Sequence, residues 1–171
     1  MTDGFVLRPG EGEQISPALT LKVGDQQSAA WSVFEVVNIW PGFDVGAHLH
    51  NSAEEVFYVL EGELDLLAFE PTARTPANWQ DWKSHAGATV SRGGPGSLMY
   101  VPRGCPHAFA NPGPGLGRMV FMVSPAGHEH YQKALAGLAA TARGPLDEAI
   151  AELRARYDIE QLTPQRLPGG G

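Results

Sequence analysis

Between residues 18 and 124 the chain sets apolar and polar positions in short alternating runs, broken at nearly every tenth position by turn-forming residues. "ALTLKV" (18–23) and "WSVFEVVNIW" (31–40) are rich in β-branched and aromatic residues and are separated by the turn-like "GDQQSAA", so each reads as a strand. After the turn "PGFDVG", "AHLH" resumes an extended segment, and "EVFYVL" and "LDLLAFE" flank Glu61-Gly62, a pair that predicts a hairpin. "ATVSR" and "SLMYVP" lie either side of "GGPG", and "HAFAN" and "GRMVFMVSP" complete the set. The pattern predicts roughly nine or ten short strands at the spacing of a sandwich or barrel, with no helix between them. An arm over residues 1–16 adds one short extended piece, "FVLR".

Past Pro125 the period changes. "GHEHYQKALAGLAATAR" places Tyr131, Leu135 and Leu138 on one helical face, and "PLDEAIAELRARY" does the same with Leu146, Ile150, Leu153 and Tyr157. Gly144-Pro145 separates the two helices, since glycine ends a helix readily and proline is favoured in the first turn of the next. The expected organisation is an arm at 1–16, a β-barrel at 17–125, two helices packed on its outside at 126–160, and a flexible tail at 161–171.

Composition narrows the function. A chain of 171 residues with 43% apolar and 18% charged positions suits one globular domain. A net charge of -7 and the absence of a Lys/Arg cluster speak against nucleic acid, which demands a basic face. The lone cysteine, Cys105, can form neither an intramolecular disulfide nor a thiolate metal cage and is expected to be a buried, inert thiol. The start lacks the basic and apolar regions of a signal peptide, and no later apolar run approaches ~20 residues, so a soluble cytoplasmic protein without a membrane partner is expected. High Ala, Gly and Arg usage is of the kind found in bacteria with GC-rich genomes.

The candidate chemistry sits in "GAHLHNSAEEVFYVLEGE" (46–63). Alternation sends His48 and His50 to one face of a strand. Glu55 heads a run whose two faces are otherwise apolar, and a carboxylate placed there is costly unless a cation or donor pairs with it. Glu54 falls on the opposite face, where it is solvated or paired. His107 opens another alternating strand, after a turn containing Pro102 and Gly104. Three imidazoles and one carboxylate suit a first-row divalent metal: Fe, Mn, Ni, Cu, Co or Zn. Four ligands on a six-coordinate ion leave two positions open, as in a reactive site.

These residues carry a resemblance to the cupins, a β-barrel (jelly-roll) family defined by two motifs. Gly42, His48, His50, Glu55 and Gly62 meet the first motif, and Gly96, Pro102, Gly104, His107 and Asn111 meet the second, with no departure in either. The resemblance implies an all-β fold, a cupin β-barrel with two C-terminal α-helices, and a metal held inside it by His48, His50, Glu55 and His107. The complete ligand set, the N-terminal arm and the helices also resemble the bacterial quercetinase-like dioxygenases. That implies an oxidoreductase taking molecular oxygen and a small aromatic or enolisable substrate, with Glu55 as the base for the substrate hydroxyl. A polyketide cyclase or isomerase that consumes no oxygen, and a non-catalytic small-molecule-binding protein, are the alternatives.

Phe57, Met99, Val101 and Phe109 alternate with the ligands and either line the substrate cavity or form plain core; Tyr58 and Tyr100 are candidate proton donors to substrate. Asn111 is expected to hold a turn. His128 and His130, two apart at a helix start, diverge by about 200° and read as cap and surface residues, with His128 or Glu129 placed to border the cavity mouth in a minority reading. The insertion at 70–88 carries Trp79 and Trp82 in polar surroundings and predicts a lid or a subunit interface, and a homodimer is expected.

Overall fold

The computed structural model describes residues 3–141 and 146–168. In chain order these form β1 (Glu13–Ser16), β2 (Leu19–Val23), β3 (Ser32–Ile39), β4 (His48–His50), β5 (Glu54–Glu61), β6 (Leu64–Ala68) and β7 (Ser91–Gly93). They continue with β8 (Leu98–Val101), β9 (His107–Ala110), β10 (Gly117–Ser124), α1 (His128–Thr141), α2 (Leu146–Arg156) and β11 (Ile159–Gln161). The expected Gly144-Pro145 break lies outside the described residues.

Two antiparallel sheets face each other in a jelly-roll barrel. One has the order β1-β2-β3-β10-β5-β8 and the other β11-β4-β9-β6-β7. Strict period-two burial in β10, where every second side chain is buried, gives the first sheet one inner and one outer face. On the inner face Phe34, Phe121 and Phe57 are register neighbours across β3, β10 and β5. Their rings stack, with centroids 4.6 Å apart for Phe34–Phe121 and 5.6 Å for Phe57–Phe121. Each such pair adds about 0.5–1.5 kcal/mol beyond the area it buries. Leu66, Phe109 and Met99 pack against this ladder and fill the space between the sheets.

Several sequence expectations need correction. Glu61-Gly62 does not close a hairpin: β5 lies in the first sheet and β6 in the second, so this turn carries the chain from one layer to the other. Gly62 makes that crossing at φ 77°, where a Cβ would stand 2.5 Å from the Leu116 carbonyl oxygen. β7 and β8 are likewise split between the sheets across "GGPG". "FVLR" forms no strand, and Phe5 and Val6 are exposed; the strand of the arm is β1, paired with β2.

The insertion is not a lid, and its tryptophans are not exposed. Trp79 and Trp82 are buried with Ala47, Leu67, Ala108 and Ala110, which form the outer face of the second sheet. Trp79 Nε1 donates to Asp44 Oδ1 at 2.8 Å and Trp82 Nε1 to Thr75 Oγ1 at 2.7 Å, so both indoles bury area without orphaning a donor. With a covered outer face, β9 is buried at all of its positions.

The C-terminal segment departs furthest from expectation. Residues 159–161 are a strand, not a helix end, and β11 pairs with β4 so that Ile159 stands opposite His50 and Gln161 opposite His48. The tail beyond it is anchored as far as it is described: Thr163 is buried and its hydroxyl accepts from Ala47 N at 2.7 Å, while Arg166 exchanges backbone hydrogen bonds with Asp44. α1 and α2 meet through Tyr131, Leu153 and Ile159, with Leu135, Leu138 and Tyr157 at the edge of the contact. Among the described residues no helix is long and apolar enough to cross a membrane.

Candidate metal centre

His48 and His107 are direct register partners across β4 and β9, on the inner face of the second sheet. Glu55 faces them from the first sheet, where its neighbours in register are Val101 of β8 and Val123 of β10. The loop between His50 and Glu55 is fixed by Asp158, whose carboxylate accepts from Asn51 Nδ2 at 3.1 Å, Ser52 N at 2.8 Å and Ser52 Oγ at 2.6 Å. Residues far apart in sequence thereby converge: the ligand-type atoms of His48, His50, Glu55 and His107 all lie within 4.8 Å of one another.

Hydrogen bonding settles the orientation of two rings. Nδ1 of His48 faces the Gly46 carbonyl at 2.9 Å, and Nδ1 of His107 faces the Cys105 carbonyl at 3.1 Å. Carbonyls only accept, so the ring protons sit on Nδ1 and each Nε2 turns a lone pair inward. His107 Nε2 stands 2.7 Å from Glu55 Oε2, and His50 Nε2 is 3.7 Å from the same oxygen. The approach of His107 is short, yet all three atoms are buried without a hydrogen-bond partner. Burial pushes the His48 and His50 imidazoles toward neutrality. Burial also tends to raise Glu55, while positive charge on the His107, His50 and His128 rings would outweigh it and hold the carboxyl well below the usual carboxylate range. Inward-turned lone pairs packed around a carboxylate repel unless a cation lies between them, so these residues fit a first-row divalent ion.

His48, His50 and Glu55 line a cavity of about 270 Å³, while His107 is fully buried beside them. Phe57 and Phe109 line this cavity with Phe43, Phe121, Val45 and Leu19, whereas Met99 belongs to the packed core and is not part of the lining. Tyr58 does not reach the cavity: it is 42% exposed on the outer face of the first sheet, because it alternates with Phe57. Tyr100 is exposed on the same side and donates to Glu54 Oε2 at 3.0 Å. Asn111 is buried and structural, donating to the Ile39 and Gly115 carbonyls at 2.6 and 2.8 Å. Cys105 is half-buried, and burial raises its thiol.

The cavity takes in His128, which the minority reading of the sequence placed at its mouth, and further residues that the sequence did not single out. His128, at the start of α1, is not a surface cap. It lines the cavity beside His50, with ring centroids 5.6 Å apart, and burial among Phe34, Phe121 and Tyr131 pushes it down to about 4. Gln132, one turn on, donates from its amide to His128 Nε2 at 3.1 Å. Glu129 is buried behind this wall and accepts from Asp25 N at 2.5 Å and from the Ser32 hydroxyl. Arg154, Gln161 and Gln165 arrive from the C-terminal segment. The helical periodicity at 128–157 was readable, but not the place where those helices dock, which depends on contacts across more than a hundred residues.

The Cupin family model matches residues 10–154. Among solved structures the chain is similar to an RmlC-like cupin from Shewanella frigidimarina, at 20% identity over 75% of this chain and 96% of that one, with a TM-score of 0.51. It is also similar to the polyketide cyclase RemF from Streptomyces resistomycificus, at 26% identity over 64% of this chain and 66% of that one, with a TM-score of 0.44. A third is a protein from Acidithiobacillus ferrooxidans described as a sugar phosphate isomerase, at 20% identity with a TM-score of 0.42; the matched part is 56% of this chain and only 50% of that one. A comparison with curated protein sequences returns no match. The family match spans most of the chain, the Shewanella structure shares its fold, and the chain belongs to the cupin family.

Proposed function

We propose that this cupin is a metal-dependent dioxygenase acting on a small aromatic or enolisable substrate. The observation that carries the reading is the set of inward-turned, partnerless atoms on His50, Glu55 and fully buried His107, at the point where His48, His50 and Glu55 line an aromatic cavity. His48, His50, Glu55 and His107 would hold one divalent ion, whose single anionic ligand leaves it a Lewis acid able to stabilise a substrate oxyanion and engage oxygen.

The chain's own residues do the rest. Phe57, Phe109 and Phe121 present apolar walls that exclude water and orient a planar ring. At about 270 Å³ the cavity is near the lower end of ligand pockets, which supports a small substrate. Glu55, the one carboxylate among the described residues that line the cavity, is the group placed to take the proton of a substrate hydroxyl when it leaves the ion. His128, kept neutral by its surroundings, offers a second polar contact beside His50.

An oxygen electrode tests the reaction type on metal-loaded protein, using a panel of flavonols and β-diketones. Uptake of one O₂ per substrate consumed is the expected result. Substrate turnover without oxygen uptake replaces this reading by a cyclase or isomerase, and absence of turnover across the panel replaces it by a binding protein.

A further inference from the structure

Among the described residues that line the cavity, Arg154 is the one permanent cation. The arginines Arg74, Arg92 and Arg118 each pair with a carboxylate. Among the described residues Arg154, like exposed Arg8, Arg103, Arg156 and Arg166, has no carboxylate within ion-pair distance, but unlike them it is partly buried and lines the cavity. Its hydrogen bond goes to the neutral amide oxygen of Gln165 at 3.3 Å, and its Nε is buried with no partner. In a protein of net charge -7, a guanidinium left without an anion and turned over a cavity is an unfilled recognition group. The α2 dipole favours a cation in this last turn, but exposed Arg156 serves it equally and does not explain why the Arg154 Nε is buried.

The position is built. Leu153, the preceding residue, is buried against Tyr131 and Ile159, and Gln165 comes from the anchored tail. The remaining polar side chains that the C-terminal segment brings to the cavity, Gln132, Gln161, Gln165, His128 and the Tyr131 phenol, carry no negative charge. One guanidinium matches a monoanion; a phosphate dianion would leave a charge uncompensated in an apolar cavity that already holds Glu55.

We propose that Arg154 is an anion-recognition residue of this cavity and that the substrate carries a carboxylate, which the guanidinium grips while the substrate's phenolic or enolic oxygen turns toward the four-residue cluster. The orientation toward the cluster rests on the function proposed above; the recognition of the carboxylate does not. Calorimetric titration of the cobalt-loaded protein with 3-(4-hydroxyphenyl)propionate, and separately with its primary amide, tests it. The expected result is at least roughly tenfold tighter binding of the propionate, loss of that preference in Arg154→Gln, and a reduced preference in Arg154→Lys, which keeps the charge without the fork. Cobalt content is expected to be equal in all three proteins. Equal binding of acid and amide by the wild type, binding of neither, or a preference that survives in Arg154→Gln overturns the proposal. The two readings fail separately: a wild type that takes no cobalt yet prefers the acid through Arg154 defeats the metal reading alone, and a cobalt-loaded protein indifferent to the carboxylate defeats this one alone.

Discussion

Glu55 is the residue on which the site turns. It lies between two valines in its sheet and is buried, and a carboxylate there is tolerable only when positive charge lies between it and the three imidazoles that converge on it. Replacing His107 or His50 with alanine is expected to lower cobalt affinity at least about 100-fold, measured by titration with elemental analysis of the dialysed protein; removal of outer partners alone costs 10–100-fold in such sites. Tyr58→Phe, by contrast, changes an exposed group on the outer face, so turnover and metal content should stay within about twofold of wild type. The ligand residues were legible because a strand's period of two and the framing Gly and Pro residues mark them locally. The same alternation had placed Tyr58 opposite Glu55 and Phe57, which was the signal against its substrate role.

At the scale of elements, two features stabilise the frame around the site. The insertion covers the outer face of the second sheet with two indoles, and Trp79→Ala is expected to destabilise the protein by about 3–5 kcal/mol in chemical denaturation. From sequence its tryptophans looked exposed, since nothing in a polar loop says which face it folds onto. The second feature is the Glu129 latch, which ties the start of α1 to Asp25 and Ser32. Burial tends to raise the Glu129 carboxyl, but donation from the Ser32 hydroxyl and the Asp25 amide brings it below its ordinary value. Its folded value is therefore depressed, so the stabilisation is present above about pH 4.3 and is lost as pH falls through the folded value. The gap in melting temperature between wild type and Glu129→Gln should be wide at pH 7 and narrow as pH falls below about 4.3; a gap independent of pH would show that the charge of Glu129 is not what the latch uses.

For the whole molecule, strand count and fold class were readable because hydrophobic period reports local geometry, while layer assignment was not. The Gly62 turn looks like a hairpin in sequence but links the two sheets, and only the pairing of β10 with β5 and of β9 with β6 reveals it. β11 was hidden for a related reason: three residues carry no periodic signal, and their partner is His48–His50, more than a hundred positions away. That pairing makes the C-terminal segment part of the site. A Cβ at Gly46 would collide with Gln161, Thr163 and Pro164, so the tail lies directly against the backbone that leads into the histidine strand. Truncation after Asp158 exposes the edge of β4 and is expected to weaken cobalt binding at least about tenfold while leaving the β-sheet circular dichroism signal largely intact. The claim that joins these scales is that both sheets and the C-terminal strand exist, in this chain, to close four side chains on one ion. Anomalous scattering from a cobalt-soaked crystal tests it most directly. A single strong peak enclosed by His48, His50, Glu55 and His107 is the predicted result, and a map with no peak there, or with its strongest peak elsewhere, would contradict it.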